Sequence, residues 1–281
     1  MQYLWIILVL FYGVSKGIRD TMKKLALNKS SLIEVLFLHA LLAFILVIPT
    51  SGNIFDIPCQ FYILILFKAL FVFFAWIFSY KSICKMPISS YGLVDVSGVV
   101  FSTLMGVCFL GEKLLFKNII GLLLVILGLY LVNFTKRTDS ESKPKYILLA
   151  LAGCLFNAVS GTLDKIYTQY VTPGQLQFWF MFYMVLMYLV YILIKKEKIS
   201  FKSGFRNHWI IIMSILFVIS DRVLFIANSD PQSKVTVMTL LKQSCVMVSI
   251  LLGKIIFKEK NILYKFLCSI LIILGIVFAV S

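Results

Sequence analysis

Apolar residues fill this chain in runs of about twenty, each closed by a short polar connection. The runs cover positions 3–20, 31–49, 59–80, 88–110, 115–134, 146–169, 175–194, 208–228, 233–257 and 261–280. At ~1.5 Å of rise per residue, about twenty apolar residues cross the hydrocarbon of a bilayer. The pattern predicts an all-α integral membrane protein with ten transmembrane helices. The longest polar stretch, TKRTDSESKPK at 135–145, falls near the midpoint and reads as a linker.

The two sides of that linker repeat each other. FLGEK at 109–113 leads into a run ending Val125-Ile126-Leu127-Gly128, and FKEK at 257–260 leads into one ending Ile272-Ile273-Leu274-Gly275. Glu112 to Gly128 and Glu259 to Gly275 both span sixteen residues. The first helices align as well, Phe11-Tyr-Gly-Val-Ser15 against Phe156-Asn-Ala-Val-Ser160. This gives a first five-helix repeat at 1–137, a polar linker at 138–145 and a second repeat at 146–281. Five is odd, so the second copy enters the membrane upside-down, the inverted plan of secondary transporters.

Composition agrees: 61% of residues are hydrophobic and 14% charged, where soluble domains carry about 25% charge. A net charge of +15 would point to nucleic acid in a soluble protein. Here the cations lie in loops, so topology and anionic headgroups explain them and no nucleic-acid partner is expected. Connections after the odd-numbered helices carry seventeen Lys and Arg, those after the even-numbered ones only Lys113, Lys117 and Lys234. By the positive-inside rule the odd connections are cytoplasmic and both termini outside. The Lys, Ile, Asn and Phe bias points to an AT-rich bacterial genome and so to the bacterial cytoplasmic (cell) membrane. Six scattered cysteines read as apolar filler. The first run lacks a basic start and a cleavage site, so it is expected to be a retained helix. Walker-type, zincin and nucleophile-elbow motifs are absent, so neither direct ATP drive, an enzyme, a metal nor a cofactor is expected.

On these motifs the chain resembles the drug/metabolite transporter (DMT) superfamily, specifically its ten-helix EamA-type members. The resemblance rests on the repeat, the Gly111-Glu112-Lys113 turn with its echo at Glu259-Lys260, and the glycine-bearing fifth and tenth helices. It implies that helices 1, 3, 4, 6, 8 and 9 line a central cavity, with 5 and 10 peripheral. It also implies cytoplasmic termini, against the loop charge. Many relatives have a proline in the fourth and ninth helices, where this chain has Asp95–Gly98 and Lys242–Cys245.

Ionisable residues inside a span are costly and mark functional sites. Lys68, Asp95, Asp221, Arg222 and Lys242 lie deep in helices 3, 4, 8 and 9, with Gln243 beside Lys242; Lys16, Asn157 and Tyr91 complete the candidates for substrate binding or ion coupling. Asp95 and Lys242 occupy corresponding places and read either as a substrate contact or as an ion pair closing the halves. Lys68 reads equally as a solute contact or as a partner of Asp95. Asp221 and Arg222 point about 100° apart on a helix, so one faces the cavity and the other a neighbour. Asp95 is also the candidate protonation site if transport is coupled to protons. Arg19, Asp20, Asp164 and Lys165 are expected to snorkel from helix ends, Glu34 to pair with Arg19, and His39 to be a packing residue. Glu112 and Glu259 are expected to serve helix N-termini, and the aromatics of QFWFMFY at 177–183 to pack and meet lipid. Three deep cations against two deep anions favour an anionic or amino-acid-like solute.

The expected function is secondary active transport, chiefly export, of a small polar metabolite by alternating access, as a monomer or homodimer in the lipid bilayer. Two alternatives stand beside it: a flippase for a lipid-linked or amphiphilic substrate, and a non-transporting membrane scaffold or sensor.

Overall fold

The computed structural model describes residues 4–113, 115–134, 144–197, 199, 204, 206–258 and 262–280. Helices stand at every predicted apolar run: α1 (Leu4–Leu27), α2 (Leu32–Val47), α3 (Cys59–Lys85), the pair α4 (Ile88–Asp95) and α5 (Ser97–Leu110), α6 (Phe116–Phe134), α7 (Pro144–Tyr167), α8 (Pro173–Lys195), α9 (His208–Ser229), the pair α10 (Val235–Lys242) and α11 (Ser244–Phe257), and α12 (Ile262–Val280). Among the described residues, counting each pair as one and α2 together with the 3-10 turn that carries it to Thr50, seven are long and apolar enough to cross a membrane. α1 runs seven residues past its predicted end, through Lys23 and Lys24, because both cations find partners. Most of the expected linker lies outside the described residues; Pro144 and Lys145 already belong to α7.

Two spans are each broken by a single residue, Val96 (φ −60°, ψ −24°) and Gln243 (φ −70°, ψ −7°). At both the ladder tightens to a three-residue bond, Val99 N to Val96 O and Val246 N to Gln243 O, each 2.9 Å. No proline causes this; Ser97-Gly98 and Ser244 stand there instead, small residues of the kind that kink helices. Asp95 and Lys242 are the last residues before the two breaks. Both broken spans end in a left-handed cap, Gly111 at φ 64° and Lys258 at φ 51°, 147 positions apart like Asp95 and Lys242. Glycine takes that conformation freely, whereas lysine adopts it at a cost.

Packing partners are exchanged between the halves. α1 lies against α9 and α11, as α7 lies against α3 and α5. α2 meets α8, while α6 and α12 pair with each other. The main core joins α2, α3, α8 and α9 through residues such as Leu36, Ile65, Phe180 and Phe225. Large apolar side chains such as Ile63, Phe67, Leu148 and Ile255 point outward, a surface suited to lipid.

The contact of α1 with α11 depends on glycine. A Cβ at Gly17 would sit 2.7 Å from both the Cys245 carbonyl oxygen and the Val248 Cβ, whereas one at Gly161 meets nothing within 4 Å. Gly17→Ala is expected to cost ~1–3 kcal/mol through overpacking, and Gly161→Ala to leave thermal unfolding in detergent near the parent's. Equal melting points for the two variants would refute this contact.

Candidate functional site

A central cavity is lined from α1, α3, α4, α5, α7, α9 and α10 and by Gln243, with His39 of α2 and Phe180 of α8 also on its wall. No described residue of α6 or α12 reaches it. The cavity encloses about 170 Å³, below the ~300–1,000 Å³ of ordinary ligand pockets, so it suits a small solute.

Eight of the nine sequence candidates line this cavity: Lys16, Lys68, Tyr91, Asp95, Asn157, Asp221, Lys242 and Gln243. Arg222 does not. Its Nε donates to Gln177 Oε1 at 2.7 Å and its guanidinium to the Thr50 carbonyl at 2.8 Å, tying α9 to α8 and to the short 3-10 turn that follows α2. Asp221, one residue earlier, takes the cavity side.

The pairing inside differs from expectation. Asp95 does not pair with Lys242 or Lys68; it accepts from the Lys16 ammonium of α1. Lys68, 1% exposed, pairs with Asp164 at 2.9 Å and lies 3.7 Å from the centre of the Phe180 ring. Asp164 therefore does not snorkel, and Phe180 leaves the lipid-facing role expected of its segment. Arg19 and Asp20 are buried too, at 5% and 2% exposure. Asp20 holds Lys23 at 2.7 Å. Arg19 makes no ion pair with Glu34 among the described residues; its guanidinium lies over the Tyr12 and Phe217 rings at 5.3 and 5.1 Å. The reason is shared: α1 and α7 are wrapped by other helices where a lone span would meet headgroups. His39 is held by Ser214 Oγ at 2.9 Å and packs against Trp76 and Phe217.

Five cations and four carboxylates face the cavity: Lys16, Arg19, Lys23, Lys68 and Lys242 against Asp20, Asp95, Asp164 and Asp221. Three carboxylates are taken by lysines. Lys242 has no ion pair or hydrogen bond among the described residues; its Nζ lies 5.6 Å from the Tyr12 ring centre. Tyr12 thus stands between Arg19 and Lys242, a role the sequence reading missed although Tyr12 is one turn before Lys16. Asp164 was also missed, although the alignment of Phe11 with Phe156 puts it opposite Arg19.

Glu112 does serve a helix N-terminus, but not that of the helix following it. Its carboxylate accepts from Val235 N at 2.6 Å, from Thr236 N at 3.0 Å and from the Thr236 hydroxyl, so it caps α10 in the other half. Glu259 lies outside the described residues. Lys165 donates to the Asn228 and Asp230 carbonyls and to Ser233 Oγ, fixing the approach to α10, as Lys24 fixes the approach to α4 through the Met86 carbonyl.

Removing one member of a buried pair leaves an uncompensated charge, at about 3–5 kcal/mol. Asp164→Asn should destabilise by that amount through stranded Lys68, and Lys68→Met in the same chain should recover most of it. Thermal unfolding of both variants checks this; a double variant no better than the single one would contradict the pairing.

No curated protein matches this chain. A crystal structure titled only as that of a protein superposes on it with a TM-score of 0.72 over 96% of both chains, at 13% identity. That likeness speaks for the fold alone. The EamA-like transporter family matches at residues 3–134 and again at 144–281, nearly the whole chain. With its all-helical build and apolar spans, this chain is a multi-pass membrane protein that belongs to the EamA-like transporter family.

Proposed function

We propose that the protein is a secondary transporter, chiefly an exporter, which moves a small anionic or amino-acid-like metabolite by alternating access. The observation carrying this is the cavity, where the breaks of both interrupted spans bring Asp95 and Lys242 to one polar space with one cation in excess. Interrupted helices at a repeat interface are where such transporters bind solute and ions. The exchanged packing partners support ten spans in two inverted five-helix repeats, 1–137 and 146–281 about a linker at 138–145. In that reading each half rocks against the other about the α2–α8 contact. Asp95, held by Lys16, is the proposed site for a coupling proton. Loop charge supports both termini outside, and the Lys, Ile, Asn and Phe bias supports the bacterial cytoplasmic membrane.

Flux into proteoliposomes tests the reading. Purified parent protein is expected to exchange labelled amino acids or small organic anions above protein-free vesicles. Asp95→Asn and Lys242→Gln should each lower the rate about tenfold or more. No flux of any small solute would sink the transporter reading, and flipping of a tagged single-chain lipid in its place would establish the flippase. Orientation has its own check, because Cys59 and Cys84 are exposed at opposite ends of α3. In single-cysteine variants an impermeant maleimide on intact cells should label Cys59 and spare Cys84. The reverse pattern would put both termini in the cytoplasm.

A further inference from the structure

We propose that Lys242 anchors a carboxylate of the transported solute, seated in the notch that Gly161 leaves open. The inference rests on the transporter reading and adds to it the place and charge of one solute group. It comes from a mismatch between the two halves. Asp95 and Lys242 are equivalent, each ending the first segment of a broken span. In the first half Asp95 is neutralised by Lys16 of α1. The alignment of Phe11 with Phe156 makes Gly161 of α7 the counterpart of Lys16. The second half therefore carries the charge-reversed end, Lys242, without the acid that would mirror Lys16.

Space and polarity agree with that vacancy. Gly161 lines the cavity, and an added Cβ there would touch nothing within 4 Å. The Lys242 ammonium has neither an ion pair nor a hydrogen bond among the described residues. Next to it in the chain Gln243, 4% exposed and also on the cavity wall, has a buried Oε1 with no donor among the described residues. A solute bearing a carboxylate and a nearby N–H satisfies both, the anion on Lys242 and the N–H on Gln243. Charge selects carboxylate over phosphate. Of the four lysines on the wall only Lys242 lacks a carboxylate partner among the described residues, so one singly charged group matches it and a phosphate dianion overshoots.

Detergent-purified full-length protein would be titrated with the L-amino acids, their carboxamides, succinate and inorganic phosphate, following thermal unfolding. A ligand that binds the folded state alone raises the melting point as its concentration passes Kd. At least one amino acid should stabilise the parent while its carboxamide does not. Lys242→Gln should weaken that binding about 30-fold or more. Gly161→Asp, which supplies the missing acid in open space, should abolish it with the protein still folded, and Gly161→Ala should retain it. Equal binding to the parent and Gly161→Asp would overturn the assignment, as would stabilisation by phosphate, by the carboxamides or by no member of the panel. Flux of a cationic or uncharged solute with no carboxylate response would defeat the Lys242 site alone and leave the transporter standing.

Discussion

Everything in this fold answers to the cost of holding charge in a low-dielectric interior. A bare ion there is worth several kcal/mol of destabilisation, and a pair repays it only with good geometry. The protein places nine charged side chains around one space and settles most of them by pairing across helices: Lys16 with Asp95, Lys23 with Asp20 and Lys68 with Asp164. Arg19 rests on two aromatic rings instead. The close approach of α1 to α11 at Gly17, and the long reach of α1 and α3 past their apolar runs, are the packing that makes those pairs available.

The breaks at Val96 and Gln243 belong to the same economy. A continuous helix satisfies its own backbone and has little reason to present polar groups to the centre of a membrane. Interrupting it beside a charged residue creates a polar level on the wall of the cavity, at matching positions of two spans. The two halves then diverge in chemistry while keeping one backbone plan, down to the left-handed caps at Gly111 and Lys258. Matching scaffolding thus presents an acid to the cavity from one half and a base from the other.

Helix positions were legible in the sequence because an apolar run of bilayer length leaves the backbone few options. The charged candidates were legible for the complementary reason: Lys68, Asp95 and Lys242 stand out against apolar neighbours. Their partners were not. Lys16 and Asp95 are 79 residues apart, and which acid meets which base is decided by how the two halves interleave. Burial of Asp164 and Arg19 was hidden likewise, since depth judged along one helix ignores the helices wrapped around it. Arg222 shows the opposite error: it is deep in its own helix and spent on Gln177 and Thr50.

The Glu112 cap on α10 reaches 123 residues along the chain. A ribosome delivers that carboxylate long before Val235 and Thr236 exist to receive it, and the same holds for Lys68, whose Asp164 arrives only with α7. The first half therefore emerges with a cation and an anion still owed partners, debts that only the second half can settle. Maturation of the cavity is in this sense a terminal event of synthesis: α10 completes its own start and the end of α5 in one step. A chain halted before Val235 is left with Glu112 lacking the helix start that it caps.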